Sequence, residues 1–252
     1  ASGLEAQSRN IERLANDMAN ANTDGYKRGR NEFQDLMYET IKEPGGALGA
    51  ASQSPVGVQQ GMGVKVAAQH KIFEVGPAKM TYHPFDLMIE GPGFFPVQMP
   101  NGDVGYTRTG AFKRDNQGRL LLTNGAQLIP QIQIPPNSNN IVISPSGQVI
   151  AQMAHGEEQE LGQLQLVRFV NEEGLMTSGA GIYRATAASG QPLQNTPGED
   201  GAGLIQQGAL EGSNVNVPNS MVEMIQTQRA YEMNTKVMKV ADEMMGATSA
   251  IK

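Results

Sequence analysis

The sequence predicts an α+β protein with an α-helix at each end and an antiparallel β-rich middle. Three observations carry this. Apolar residues recur at spacings of three and four near both termini. Between them lie short alternating runs separated by turn residues. The composition is rich in turn formers, with 30 Gly and 14 Pro among 252 residues. Apolar residues make up only 39%, with 7 Phe, 6 Tyr and no Trp. Such a chain has little apolar surface to spare for a thick core, which predicts an elongated shape or burial completed by partners.

Residues 1–24 read as a helix. Leu4, Ile11, Leu14, Met18 and Ala21 share one stripe, with Gln7 its polar exception. A second short helix is expected over 31–42, where Phe33, Leu36, Met37 and Ile41 cluster on one side. The next stretch, "EPGGALGAASQSPVGVQQGMG" (43–63), has the composition of a flexible linker. From about Val64 to Glu211 the signals are strands and turns: "FDLMIEG" and "GFFPVQM" as strands, "PNGD" and "DNQG" as hairpin turns, and "NIVISPSGQVIAQM" as strand, turn, strand. The prolines of "QLIPQIQIPP" point to edge strands, "LGQLQLVRFV" alternates as a strand, and 189–204 reads as a polar loop.

The clearest element is a helix over 218–251. Pro218 suits a helix start, and Ser213, Asn214 and Asn216 stand ready as caps before it. Ala230, Met233, Val237, Val240, Met244, Ala247 and Ile251 alternate by three and four without a break, as the a and d positions of three heptads. Stripes this regular at both chain ends imply pairing, either with each other or with neighbouring chains. Six of the 14 Met residues lie from Met221 to Met245, as on an adaptable surface and equally as in an ordinary core.

Chemistry-bearing motifs are scarce. In "NANTDGYKRGRN" (20–31) the order Asn20, Asn22, Asp24, Gly25 opens like a calcium loop, but position 12 is Asn31 where a bidentate Glu is required. Lys27, Arg28 and Arg30 would repel a cation there. The same residues suit a helix-end turn, because Asn and Gly tolerate the left-handed conformation that stops a helix. His70, His83 and His155 are scattered, and there is no Cys, hence no disulfide or thiolate chemistry. "GMG" and "GAG" lack the third glycine of a dinucleotide loop, and no nucleophile elbow is present. Nothing supports an enzyme, a metal or a cofactor. The net charge of −6, with no basic block, argues against nucleic acid, and no apolar run reaches membrane-spanning length. The first ten residues lack the basic and apolar regions of a cleavable signal.

Three long strings carry a resemblance. They are "SGLEAQSRNIERLANDMANANTDGYKR", "FDLMIEGPGFFPVQMPNGDVGYTRTGAFKRDNQGRLL" and "GALEGSNVNVPNSMVEMIQTQRAYEMNTKVMKVADEMM". They resemble the bacterial flagellar axial proteins, the family of rod and hook subunits, along essentially the whole chain. The distal-rod branch is nearest, since 43–63 resembles its insertion after the first helix. The hook branch carries a larger middle region, and the proximal-rod branch is similar in size. The resemblance begins inside the family's N-terminal motif, which implies a short piece before Ala1.

The resemblance implies a structural subunit of the distal rod, copies of which build a helical tube in the periplasm around an export channel and transmit torque to the hook. It implies an inner layer of coiled-coil-like helices from 1–42 and 212–252, a long hairpin extension over 43–72 and an outer β-domain over 73–211. The stripe residues would then be subunit and helix contacts, and Asn20, Asn22, Asp24 and Gly25 the helix-end turn. The implied partners are further copies of the chain, the proximal-rod and hook proteins and the P- and L-ring proteins. Delivery would follow the flagellar type III route. A proximal-rod or hook-type subunit and, from a different class, a monomeric secreted β-domain that binds a ligand are the alternatives.

Overall fold

The computed structural model describes residues 2–42, 47–49, 52–53, 57–153 and 157–250. The chain divides into two compact units. One holds Ala1–Met18, Gly29–His70 and Val217–Lys252, and the other holds Ala19–Arg28 and Lys71–Asn216.

The first unit contains two helices, α1 (Ser2–Ala19) and α2 (Val217–Ala250). They run antiparallel: Gly3 lies beside Asn234, Asn10 donates to Thr227 at 3.4 Å, and Arg13 pairs with Glu223 at 2.7 Å. Arg13 is the main fastener. Its guanidinium also bonds Asp17 at 3.0 Å, the Gly29 carbonyl at 3.1 Å and Asn10. Asp17, itself buried, accepts the Gly29 amide at 3.0 Å.

Among the described residues, six strands lie between Gly29 and Lys71. β1 (Gly29–Asp35), β2 (Tyr38–Lys42), β3 (Ala47–Gly49), β4 (Ser52–Gln53), β5 (Val58–Gly61) and β6 (Val64–Lys71) pair as β1 with β6, β2 with β5 and β3 with β4. The helix expected over 31–42 is therefore absent; those residues are β1 and β2. A helix of this length is marginal in isolation. Here the backbone finds long-range partners instead, with Leu36 N–H donating to Gly63 O at 2.8 Å and Tyr38 opposite Gly61. Of the stretch read as a flexible linker from its composition, Ala47–Gly49, Ser52–Gln53 and Val58–Gly61 are paired strands, and 43–46, 50–51 and 54–56 lie outside the described residues.

The second unit is built from β7 (Ala78–Met80), β8 (Leu87–Glu90), β9 (Phe95–Gln98), β10 (Val104–Thr107), β11 (Lys113–Arg114), β12 (Leu120–Leu121), β13 (Gln127–Leu128), β14 (Ser138–Ile143), β15 (Gln148–Met153), β16 (Glu158–Gln163), β17 (Leu166–Arg168), β18 (Met176–Gly179), β19 (Ile182–Arg184), β20 (Leu193–Asn195), β21 (Leu204–Gln207) and β22 (Ala209–Glu211). A seven-stranded sheet has the order β11-β12-β13-β9-β10-β19-β18, and a three-stranded sheet the order β14-β15-β16. β7 pairs with β22, β8 with β21 and β17 with β20.

The hairpins expected at "PNGD" and "DNQG" are formed, joining β9 to β10 and β11 to β12. Two expectations fail. β13 sits inside its sheet and not at an edge, because Pro130 falls just beyond the paired residues. The polar loop contains β20, whose Leu193 pairs with Arg168. The main core gathers Leu87, Ile89, Phe95, Val97, Phe112, Ile143, Val149, Leu164, Leu166 and Ile205, and a separate aromatic cluster joins Phe94, Tyr106, Phe169 and Tyr183. The outer edge of β14 is closed by one side chain. Ile143 N–H donates to Gln207 Oε1 at 3.0 Å, and Gln207 Nε2 donates to the Ile141 carbonyl at 2.8 Å.

Replacing Arg13 by Leu strips buried Asp17 of its counter-ion. The expected loss is about 3 kcal/mol, read in the thermal melt of the helical signal. A loss below about 0.5 kcal/mol would place Arg13 among inconsequential surface pairs instead.

Candidate functional site: an apolar helix stripe and a buried ion cluster

The stripe predicted on the C-terminal helix lies on α2 and faces solvent. Met233 is 64% exposed, Val237 68%, Val240 54% and Met244 64%, while Ala230 is half-buried. Ala247 and Ile251 lie outside the residues whose side chains the structure describes. For Val237, Val240 and Met244 the cause is geometric. α1 has 18 residues and spans about 27 Å, whereas α2 has 34 and spans about 51 Å. The antiparallel register puts Gly3, at the start of α1, beside Asn234. Thr235–Ala250 therefore runs about 24 Å past that point. On α1, Leu14 is buried and Leu4, Ile11 and Met18 are half-buried. Ala21 is off the stripe, because α1 ends at Ala19, where the turn-forming run from Asn20 takes over.

That turn belongs to the second unit. Thr23 N–H donates to Asn20 O at 3.1 Å, and Thr23 Oγ1 bonds Asn20 Oδ1 at 3.3 Å. Asn22 is exposed, and Asp24 lies 3.6 Å from Lys79. Gly25 has φ +72°, and a Cβ there would come within 2.8 Å of the Thr109 amide nitrogen. Its own N–H donates to Glu211 O at 2.7 Å.

Two residues further on, the chain enters a cluster no local pattern announces. Lys27, Arg108 and Glu211 are all fully buried. Lys27 Nζ donates to Glu211 Oε1 at 2.5 Å and to the Glu74 carbonyl at 2.6 Å. Gly76 N–H donates to the same Oε1 at 2.9 Å, and Arg108 reaches Oε2 at 3.5 Å. Arg108 also donates to Gly91 O at 2.8 Å and lies 5.3 Å from the Phe94 ring centroid. One carboxylate thus gathers the chain at 27, 76, 108 and 211. Desolvation holds the Lys27 ammonium below its ordinary range, against the pull of Glu211. Arg108 is lowered for the same reason, and burial raises the Glu172 carboxyl and pushes the Tyr183 phenol up to about 12.

Asn214 supplies the neutral counterpart. Its Oδ1 accepts the Arg28 N–H at 2.7 Å, and its Nδ2 donates to the Ile72 carbonyl at 2.8 Å, while Ile72 N–H donates to Arg28 O at 3.0 Å. The cap role expected of Asn214 is corrected here: its amide binds two other chain segments.

The matching family models define the class. "Flagellar hook protein FlgE/F/G D1 domain" matches residues 88–151, covering strands β8–β15, and "Flagellar basal body rod FlgEFG protein C-terminal" matches 206–251, covering Glu211, Asn214 and α2. The chain is a protein of the flagellar rod and hook class. Among curated relatives, the flagellar basal-body rod protein FlgG of Buchnera aphidicola subsp. Acyrthosiphon pisum is 44% identical over 99% of this chain and 96% of that protein. FlgG of Buchnera aphidicola subsp. Schizaphis graminum is 43% identical over 99% and 96%. FlgG of Caulobacter vibrioides is 42% identical over 100% and 97%. The chain belongs to the FlgG family of flagellar basal-body rod proteins.

Glu211→Gln leaves two buried cations facing a neutral amide, with an expected loss of about 3–5 kcal/mol in chemical denaturation of the β-unit. The triple change Lys27→Met, Arg108→Met and Glu211→Leu removes all three buried charges and is expected to lose less than the single change; a larger loss from the triple change would mean that the ion cluster is itself a net stabiliser. Gly25→Val forces a β-branched residue into left-handed backbone against Thr109. It is expected to cost at least about 2 kcal/mol by the same measurement, whereas Asn22→Ala at an exposed position is expected to cost little.

Proposed function

We propose that this chain is a structural subunit of the flagellar distal rod. Copies assemble into a helical tube in the periplasm that transmits torque to the hook and encloses the export channel. It is not an enzyme. α1 and α2 form the coiled-coil-like inner layer, residues 29–71 the extension and β7–β22 the outer part. The contacts between helices and between subunits are made by Leu4, Ile11, Leu14, Met18, Ala230, Met233, Val237, Val240 and Met244. Its neighbours along the axis are the proximal-rod and hook proteins, with the P- and L-ring proteins around it.

The observation that supports this reading is the exposure of Val237, Val240 and Met244, beyond the reach of α1. Full burial of a Val or Met side chain yields roughly 1.5–3 kcal/mol, and α1 of the same chain is too short to provide it here. Helices of neighbouring copies can. A heterologous contact that does not close on itself propagates as an open helical filament.

Val237→Asp places a charge in the middle of the stripe. The purified variant is expected to keep the β-unit amide spectrum of the wild type and to fail to form rods under electron microscopy. Cells carrying it as their only copy are expected not to swim. Normal rods from this variant would refute the stripe as the assembly surface. In the assembled form, hydrogen exchange at 230–246 is expected to slow relative to the monomer.

A further inference from the structure

We infer that the β-unit carries a second contact between copies, in which the acidic edge strand β16 of one copy docks on the cationic edge strand β11 of the next. This rests on the reading of the chain as a self-assembling subunit and adds a contact that the helices do not make.

The two edges are complementary in a way their surroundings leave unused. Between Arg119 and Arg168 the sequence has no Lys or Arg, while Glu157, Glu158 and Glu160 stand on or beside β16. All three are exposed. β16 is an end strand of its sheet, paired only to β15. The opposite end of that sheet is closed by the Gln207 amide. An edge left open beside one so closed is a template for another strand.

β11 is likewise an end strand, paired to β12. Lys113 and Arg114 are both exposed and make no ion pair among the described residues. The carboxylates near them are already engaged: Asp115 with Arg119 at 2.8 Å, and Asp86 with Thr81 Oγ1 at 2.6 Å. Beside β11 the surface opens into a cavity of about 470 Å3 lined by His83, Phe85, Asp86, Ala111, Phe112, Lys113 and Arg114, where the one carboxylate, Asp86, is held by Thr81 and lies 3.7 Å from His83. A cationic edge with an apolar recess suits an incoming acidic strand, whose backbone gains hydrogen bonds while a side chain enters the recess. The occupant we assign is β16 of a second copy.

The test is charge exchange in the full chain, read as the concentration at which rods form in sedimentation. Lys113→Glu with Arg114→Glu, and separately Glu158→Lys with Glu160→Lys, are each expected to raise that concentration at least about tenfold by setting like charges opposed. The fourfold variant carrying both exchanges restores opposite charges across the contact and is expected to return within about threefold of wild type. Thermal melts of the isolated chains check that all three variants fold. Two results overturn the inference: double variants that assemble as wild type does, which makes the carboxylates mere guards of a free edge, or a fourfold variant no better than the doubles. Val237→Asp run alongside keeps the readings separate. Its failure to assemble upholds the rod reading whatever the strand variants do, and its normal assembly removes the stripe while leaving the charge exchange to be judged on its own.

Discussion

The β-unit depends on one buried carboxylate. Glu211 accepts hydrogen bonds from Lys27, Gly76 and Arg108, and the backbone on either side of it continues the work, with its own carbonyl held by Gly25. Removing three charges from water carries a penalty of several kcal/mol per ion, which close pairing can offset but rarely exceeds. The cluster is therefore better understood as a device of specificity. A Lys or an Arg buried without Glu211 is so unfavourable that alternative arrangements of residues 24–28 against β22 are excluded. Gly76 and Gly25 make the arrangement sterically possible, since a Cβ on either would strike neighbouring backbone.

The helical unit is arranged by the opposite kind of force. Its polar contacts, Arg13 with Asp17 and Glu223, set the register of α1 on α2, but they leave much of α2 without a partner. A chain that pairs its buried charges inside and leaves apolar residues exposed outside is suited to association. The exposed Met and Val residues of α2 and the paired, largely solvent-facing strands β1, β2, β5 and β6 follow the same pattern.

Much of this was legible in the sequence where local periodicity and turn chemistry agreed. The C-terminal helix and the hairpins at Asn101–Gly102 and Asn116–Gly118 are local signals, and the structure forms them. The strands at 29–42 were not legible. Their apolar residues mimic a helical cluster, and the backbone partners that decide otherwise come from 58–71. The ion cluster was hidden for a related reason, because Lys27 and Glu211 are 184 residues apart and Arg108 and Glu211 are 103 apart. The one faint trace was a charge amid small and apolar neighbours in "YTRTG" and "GALEG". The position of Asn214 before Pro218 satisfies the capping rule, which says nothing of the carbonyl at Ile72 that its amide binds.

The overhang of α2 also bears on how a row of such chains must end. In the assembly proposed above, each copy would cover the stripe of a neighbour and present its own, which would leave the terminal copy with an apolar helix in water. Adding more of the same chain moves that surface along without removing it. Only a chain whose own helices are complementary to the stripe on one side and different on the other can retire it. The mismatch between an 18-residue helix and a 34-residue one thus makes the tip a standing invitation to a successor of another kind.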